Sequence, residues 1–276
     1  MAIVSILMSA GVIIMYFFLS LFLPFLAYLI PYYKITKVNL YKKKFSLAIN
    51  IVVSVILYAI SPSFLIYYLI FPYMMEFTFY LFNKFAKRMQ VYNRIVIMTL
   101  VPSILIFLYI YINRMEIVNI IALVTQLEEF KKLGIEYINR FQETMLYLSQ
   151  YIVLEVFKYV FLATLFLFLT LIPNTYKLWK ISCYWIIPYI LIIWSQRFLN
   201  ISHNIFWENN ILEIIKYIFV WYGIKNYYIL AEKIGIKSNI LKHGVSMLLG
   251  LSYPMVAFIV GAIISFEFIE VREIKI

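Results

Sequence analysis

The chain has 276 residues, 65% of them hydrophobic and 13% charged, with a mean hydropathy of +0.92. Soluble domains use about 45–50% apolar and about 25% charged residues, so too little polar surface exists here to clothe a water-soluble globule, and the apolar surface must face lipid. The formal charge of +11 comes in short packets between apolar runs, which excludes the clustered basic stripe of a nucleic-acid-binding surface and fits membrane-flanking charge.

A membrane span needs about 20 mainly apolar residues. The uncharged run MAIVSILMSAGVIIMYFFLSLFLPFLAYLIP lacks the basic start and cleavage site of a signal peptide. It is read as a retained first span from about Ile3 to Ile30, bent at Pro24 and stopped by Pro31. The packet Lys34, Lys37, Lys42, Lys43 and Lys44 follows. A short second span covers Phe45 to Ile60, and a third runs from Phe64 to Asn83 with Pro72 inside it. Lys84, Lys87, Arg88 and Arg94 make the second packet, before a fourth span from Ile95 to Ile112 that carries Pro102.

Between about 116 and 148 the pattern changes. Ile120, Val124, Leu127, Phe130, Gly134, Ile138, Phe141, Met145 and Leu148 recur every three or four residues, with charges in most gaps. That period predicts an amphipathic helix, with Gly134 a point of interruption, at the interface or packed across the spans; the alternative is a more solvated connection. The fifth span is Tyr151 to Ile172, the sixth Ile181 to Phe198 with Pro188, the seventh Ile211 to Leu230 and the eighth about Val245 to Phe266. The expected fold is therefore all-α, a polytopic helical membrane protein with about eight transmembrane helices plus one amphipathic helix, in a single domain over 1–276.

Connection charges fit this division. Residues 34–44, 84–94, 177–180 and 225–242 carry +5, +4, +2 and +3, whereas 114–143, 197–213 and the tail each carry −1 and Ser61-Pro62-Ser63 is neutral. The alternation predicts a cell-membrane protein with its basic packets in the cytoplasm and both termini outside.

A charge at bilayer centre costs about 2.5–3.5 kcal/mol on insertion scales, so charges inside spans are site candidates. Four stand out: Glu76, Glu155, Lys158 and Lys216. Glu76 has no lysine or arginine within one helical turn. It reads either as a cavity carboxylate that meets a solute or proton, or as a structural group satisfied by hydroxyls or a lysine from a neighbouring helix. Glu155 and Lys158, three apart, share a face and are expected to pair. Lys216 lies one turn into its span and is expected to reach the interface, or to face Glu76 or Glu155. Asn50, Gln150, Gln196, Ser246 and Tyr253 are candidates for uncharged hydrogen bonds between helices.

No phosphate-binding loop, His-Glu-x-x-His or nucleophile elbow occurs. His203 and His243 are far apart in sequence, and Cys183 is alone, which permits no internal disulfide or thiolate metal cluster. No cofactor is expected and no enzymatic activity is written, although Arg197, His203 and Glu208 leave a membrane-embedded enzyme as a third alternative.

The segment YIFVWYGIKNYYILAEKIGI sets Gly223 in an apolar helix and follows a charged turn with Gly235. The closing VGAIISFEFIEVREIKI has Gly261, then Glu270 and Arg272. These segments resemble the YybS-like family of bacterial multi-pass membrane proteins, in a similarity covering most of the length. Val271 stands where that family has an aromatic residue, and the closing segment has no Asp. The family is similar to the substrate-binding subunits of energy-coupling-factor vitamin transporters, which capture a solute and dock on a coupling membrane subunit with ATPases. Their docking surface uses small residues on the first helix, which Ser5 and Ser9 match only approximately. The resemblance implies a transport role, a small-molecule solute and such a coupling partner, beside the lipid bilayer. It imports no binding residue. The functional expectation is a solute-binding or transport subunit; the alternative is a non-transporting membrane scaffold or assembly protein.

Overall fold

A computed structural model describes residues 2–38, 43–86, 88–126, 135–198 and 204–266. Lys42, Lys87, His203, Glu270, Arg272 and the middle of the amphipathic segment (127–134) lie outside them. Among the described residues the fold is all-α, with twelve α-helices joined by short 3₁₀ and π turns. They group into two compact units, residues Met1–Arg88 with Ile95–Leu171, and Met89–Arg94 with Ile172–Ile276.

In the first unit α1 covers Ala2–Phe22 and ends before a 3₁₀ turn at Pro24–Tyr28, with Pro24 at its first position. Pro31 does not stop the chain as expected. It sits inside α2 (Leu29–Tyr33), which continues into a π turn, Lys34–Val38. Proline lacks only one donor, and near a helix start that donor is unused anyway. After α3 (Lys43–Ile60), extended Ser61 leads to Pro62 at the start of α4 (Pro62–Tyr68). A π turn, Leu69–Tyr73, absorbs Pro72 and runs into α5 (Met74–Phe85). Then come α6 (Val91–Ile112), α7 (Arg114–Gln126) and α8 (Ile135–Leu171).

Helical spacing builds the first unit's core. Ala10, Ile13 and Phe17 of α1 meet Ile49, Val53 and Leu57 of α3, together with Tyr68. Val160, Ala163 and Leu167 of α8 pack with Ala27, Phe71 and Met75. Opposite faces stay exposed and apolar, for example Leu7, Ile51, Val55 and Tyr58. Outward apolar faces are what a lipid solvent selects.

In the second unit 3₁₀ turns at Pro173–Leu178 and Cys183–Ile186 precede α9 (Ile187–Phe198), α10 (Ile205–Lys233), α11 (Asn239–Ser252) and α12 (Pro254–Ser265). Gly235, at φ +98°, ends α10. Its N–H donates to Glu232 O at 3.0 Å and that of Ile236 donates to Ala231 O at 3.1 Å, a paired C-terminal cap that needs a left-handed residue. Along α10, Gly223 touches the α12 backbone: a Cβ there would lie 2.0 Å from Ala257 O, and one at Gly261 would lie 2.2 Å from Phe219 O. Gly261 is thus interior to α12.

The expected eight spans are not there. Four described helices are long and apolar enough to cross a membrane: Ile3–Phe22, Pro62–Phe85, Val91–Ile112 and Tyr137–Leu171. A fifth is reached only if α11 and α12, bent by 108° at Tyr253-Pro254, count as one span. Each lost span has a physical reason. The second keeps an apolar helix of Ser46–Ile60 alone. The sixth begins in non-α turns, leaving the 12 residues of Ile187–Phe198. The seventh, α10, is long, but Glu208, Glu213, Lys216, Lys225, Glu232 and Lys233 make it too polar. The eighth breaks where Tyr253 is held out of helical geometry before Pro254.

The described parts of the amphipathic segment lie on either side of 127–134. Its first part is α7, and residues from 135 onward run straight into the fifth span. The joint is marked by Tyr151, at φ −121°, ψ 22°. At 35 residues, Tyr137–Leu171 exceeds the about 20 residues that a span needs, and the part beyond the joint at Tyr151 alone has that length. With Ser46–Ile60 only a shorter apolar helix, the alternation of positive and non-positive connections over eight spans no longer holds. Placement of both termini outside does not follow from four spans. The chain is a helical membrane protein, with its apolar helices facing the bilayer.

Candidate functional site

Spacing on one element lays out the site. Tyr73, Glu76, Phe77, Tyr80, Asn83 and Lys84 recur at three or four residues along the end of the π turn and α5, so they share a face. That face lines a cleft of about 740 Å³ within the first unit. Ser46, Leu47 and Asn50 of α3 and Ile35 of the Lys34–Val38 turn supply its other walls.

The Glu76 carboxylate is buried and pairs with Lys34, whose side chain has 0% exposure. Lys34 Nζ also donates to Asn50 Oδ1, which accepts a second hydrogen bond from the Tyr68 hydroxyl at 3.0 Å. The Tyr73 ring lies 5.9 Å from the ammonium. Burying one charge alone would be prohibitive, and burying both is tolerated when each is hydrogen-bonded. Here the carboxylate, amide and phenol converge on one ammonium. Only one oxygen of Glu76, Oε2, is taken by Lys34. Among the described residues no hydrogen bond reaches Oε1 or Asn50 Nδ2, and both residues line the cleft.

Two π turns flank this pair: Lys34 opens one and Tyr73 closes the other. Such turns are frequent where a helix re-aims side chains at a functional site. At the other end of the stripe, Lys84 is exposed, with its ammonium 5.0 Å from the Phe85 ring centroid and no carboxylate partner among the described residues.

The other candidates sit elsewhere. Lys158 Nζ donates to Glu155 Oε1 at 2.7 Å, and the Tyr147 hydroxyl donates to the same oxygen at 2.9 Å. Both charged side chains are partly exposed, at 29% and 18%. Lys216, in the second unit, pairs with Glu213 three residues before it. Hence neither Glu155 nor Lys216 is the counter-charge of Glu76.

Sequence reasoning missed Lys34 and Tyr68. Lys34 reads as the first member of a basic packet, yet its side chain points wholly inward. Its place in PYYKITKV, eight residues before Lys42 and directly after two tyrosines, was the available signal. Asn50 was noted only as an interhelical hydrogen bonder. Among the described residues, no three of His, Cys, Asp and Glu gather as a metal site.

Neither a family model, nor a curated protein, nor a solved structure matches this chain.

Proposed function

We propose that the protein is a solute-binding or transport subunit of the cell membrane, with the α3–α5 cleft as its binding site. One observation carries this reading: about 740 Å³ is left open beside a buried charge pair. Small-molecule sites are clefts of about 300–1,000 Å³, mostly apolar, with a few converging polar groups, and this one answers that description. A pair kept only as structural glue would have its surroundings filled by side chains.

Movement of a solute would draw its energy from elsewhere, because the sequence has no phosphate-binding loop. A coupling membrane subunit with ATPases is the source implied by the resemblance to the YybS-like family; an ion gradient is the other. The test is a thermal-shift screen of the purified full chain in neutral detergent. At least one solute is expected to raise the Tm of the wild type and to lose that effect in Glu76→Gln. A broad library that shifts neither protein would overturn the reading.

A non-transporting scaffold is favoured by one specific observation. Residues 137–150 of α8 include no buried side chain, and Tyr137, Leu146 and Tyr147 are exposed. That helical arm offers a face for a partner protein. The scaffold reading predicts that Tyr137→Ser with Leu146→Ser abolishes co-purification of a membrane partner while leaving the chain folded.

A further inference from the structure

We infer that the cleft takes an elongated, water-soluble organic anion, with its acidic group on Lys84 at the mouth and a neutral amide-like head at Glu76 and Asn50. This rests on the solute-binding reading and adds the chemical class and orientation of the solute.

The floor is specific in its hydrogen bonding. Glu76 Oε2 and Asn50 Oδ1 both contact the Lys34 ammonium, which holds the two heads side by side. The second oxygen of Glu76 is an acceptor, and the Asn50 amide nitrogen is a donor. A group that offers one donor and one acceptor side by side, as a carboxamide or lactam does, complements them. The buried charges already neutralise each other, so a charged head has no counter-ion to meet there. A second positive charge would face Lys34, and a second negative charge would face Glu76.

The mouth is different. Lys84 lies eight residues beyond Glu76, about 12 Å along the helix axis. It is exposed and has no acidic partner among the described residues. Between the two ends the wall carries Leu47, Phe77 and Tyr80 with Ser46 beside them, and Asn83 stands next to Lys84. The cleft is thus polar and neutral at one end, greasy in the middle and cationic at the other. A lipid tail would satisfy the middle and leave the paired donor and acceptor at the floor unanswered. A soluble solute with polar groups at both ends leaves nothing unanswered.

The experiment uses the full chain in neutral detergent, with 4-carbamoylphenylbutanoate and its neutral methyl ester as matched probes, read by thermal shift and titration. The acid is expected to bind at least roughly tenfold more tightly than the ester, the scale of one charge-assisted hydrogen bond. High salt should narrow that gap, because the mouth is exposed. Lys84→Gln should bring the acid to the ester's affinity, with the ligand-free Tm unchanged, and Lys84→Arg should retain the preference. If the ester binds as well as the acid, or if Lys84→Gln leaves acid binding intact while Glu76→Gln removes it, the anion inference falls and the solute-binding reading stands. If no solute of any charge shifts the protein, both fall together. Lys84-dependent displacement of the acid by phosphatidylglycerol, but not phosphatidylcholine, in nanodiscs would make the occupant a lipid and overturn the inference.

Discussion

In the first unit, helices are held apart around a paired lysine and glutamate, leaving an open cleft. In the second, α10 and α12 meet backbone to backbone, because Gly223 and Gly261 remove the side chains that would separate them. The two contacts are of different kinds. One relies on charge and hydrogen bonds, and the other on dispersion across a close contact. The difference teaches where space is left: polar helices that must satisfy one another directionally leave room, and small-residue helices close it.

The sharpest way to break that comparison is to remove one charge of the pair. Lys34→Met should cost about 3–5 kcal/mol, since it leaves the Glu76 carboxylate buried and alone, whereas Lys34→Met with Glu76→Leu should recover most of that loss. Unfolding in mixed micelles checks this. Equal losses for the single and double variants would mean that the pair does not act as a unit.

The second unit should respond to bulk instead. Gly223→Ala places a Cβ 2.0 Å from the Ala257 carbonyl oxygen, an atom of the backbone that cannot rotate aside, so the helices must separate at a cost of about 1–3 kcal/mol. Gly11→Ala in α1 meets nothing within 4 Å and should gain up to about 1 kcal/mol from helix propensity. A Gly223→Ala protein as stable as wild type would remove the close contact from the account.

Glu155 and Lys158 resemble the buried pair in composition but are partly exposed and three residues apart on one helix. Glu155→Gln should change stability by no more than about 0.5 kcal/mol. A loss comparable with that of Lys34→Met would show that burial is not what separates the two pairs.

The smallest effect is expected at the exposed rim. The hydrogen bond from Lys177 holds the Glu232 carboxyl below the usual carboxylate range, with Lys242 adding to the effect. A depressed carboxyl contributes stability that is complete above its unfolded pKa and is lost as the pH falls through its folded value. Glu232→Gln should therefore flatten the acid limb of the pH–Tm curve and leave the neutral region nearly unchanged. An unaltered acid limb would show that the contact does not persist in solution.

Glu76 was legible as a charge inside an apolar run, but the stripe it shares with Tyr73, Phe77, Tyr80, Asn83 and Lys84 emerged only with the structure, which shows that they line one cleft. The partner of Glu76 was not legible, because Lys34 lies 42 positions away and nothing local marks it as inward. The charges of α10 defeated a span that length alone favoured, and Tyr253-Pro254 broke another whose composition was entirely suitable.

Composition and apolar run length, which are sums over neighbouring residues, determined from the sequence alone that this is a helical membrane protein. They also placed its main helices and put Glu76 within one of them. Tertiary structure alone decided that four described helices, or five with the bent pair, are long and apolar enough to span, that Lys34 turns inward to meet Glu76, and that a cleft stays open beside them. Those outcomes depend on which faces meet across distant parts of the chain, and hydropathy, being local, carries no record of that.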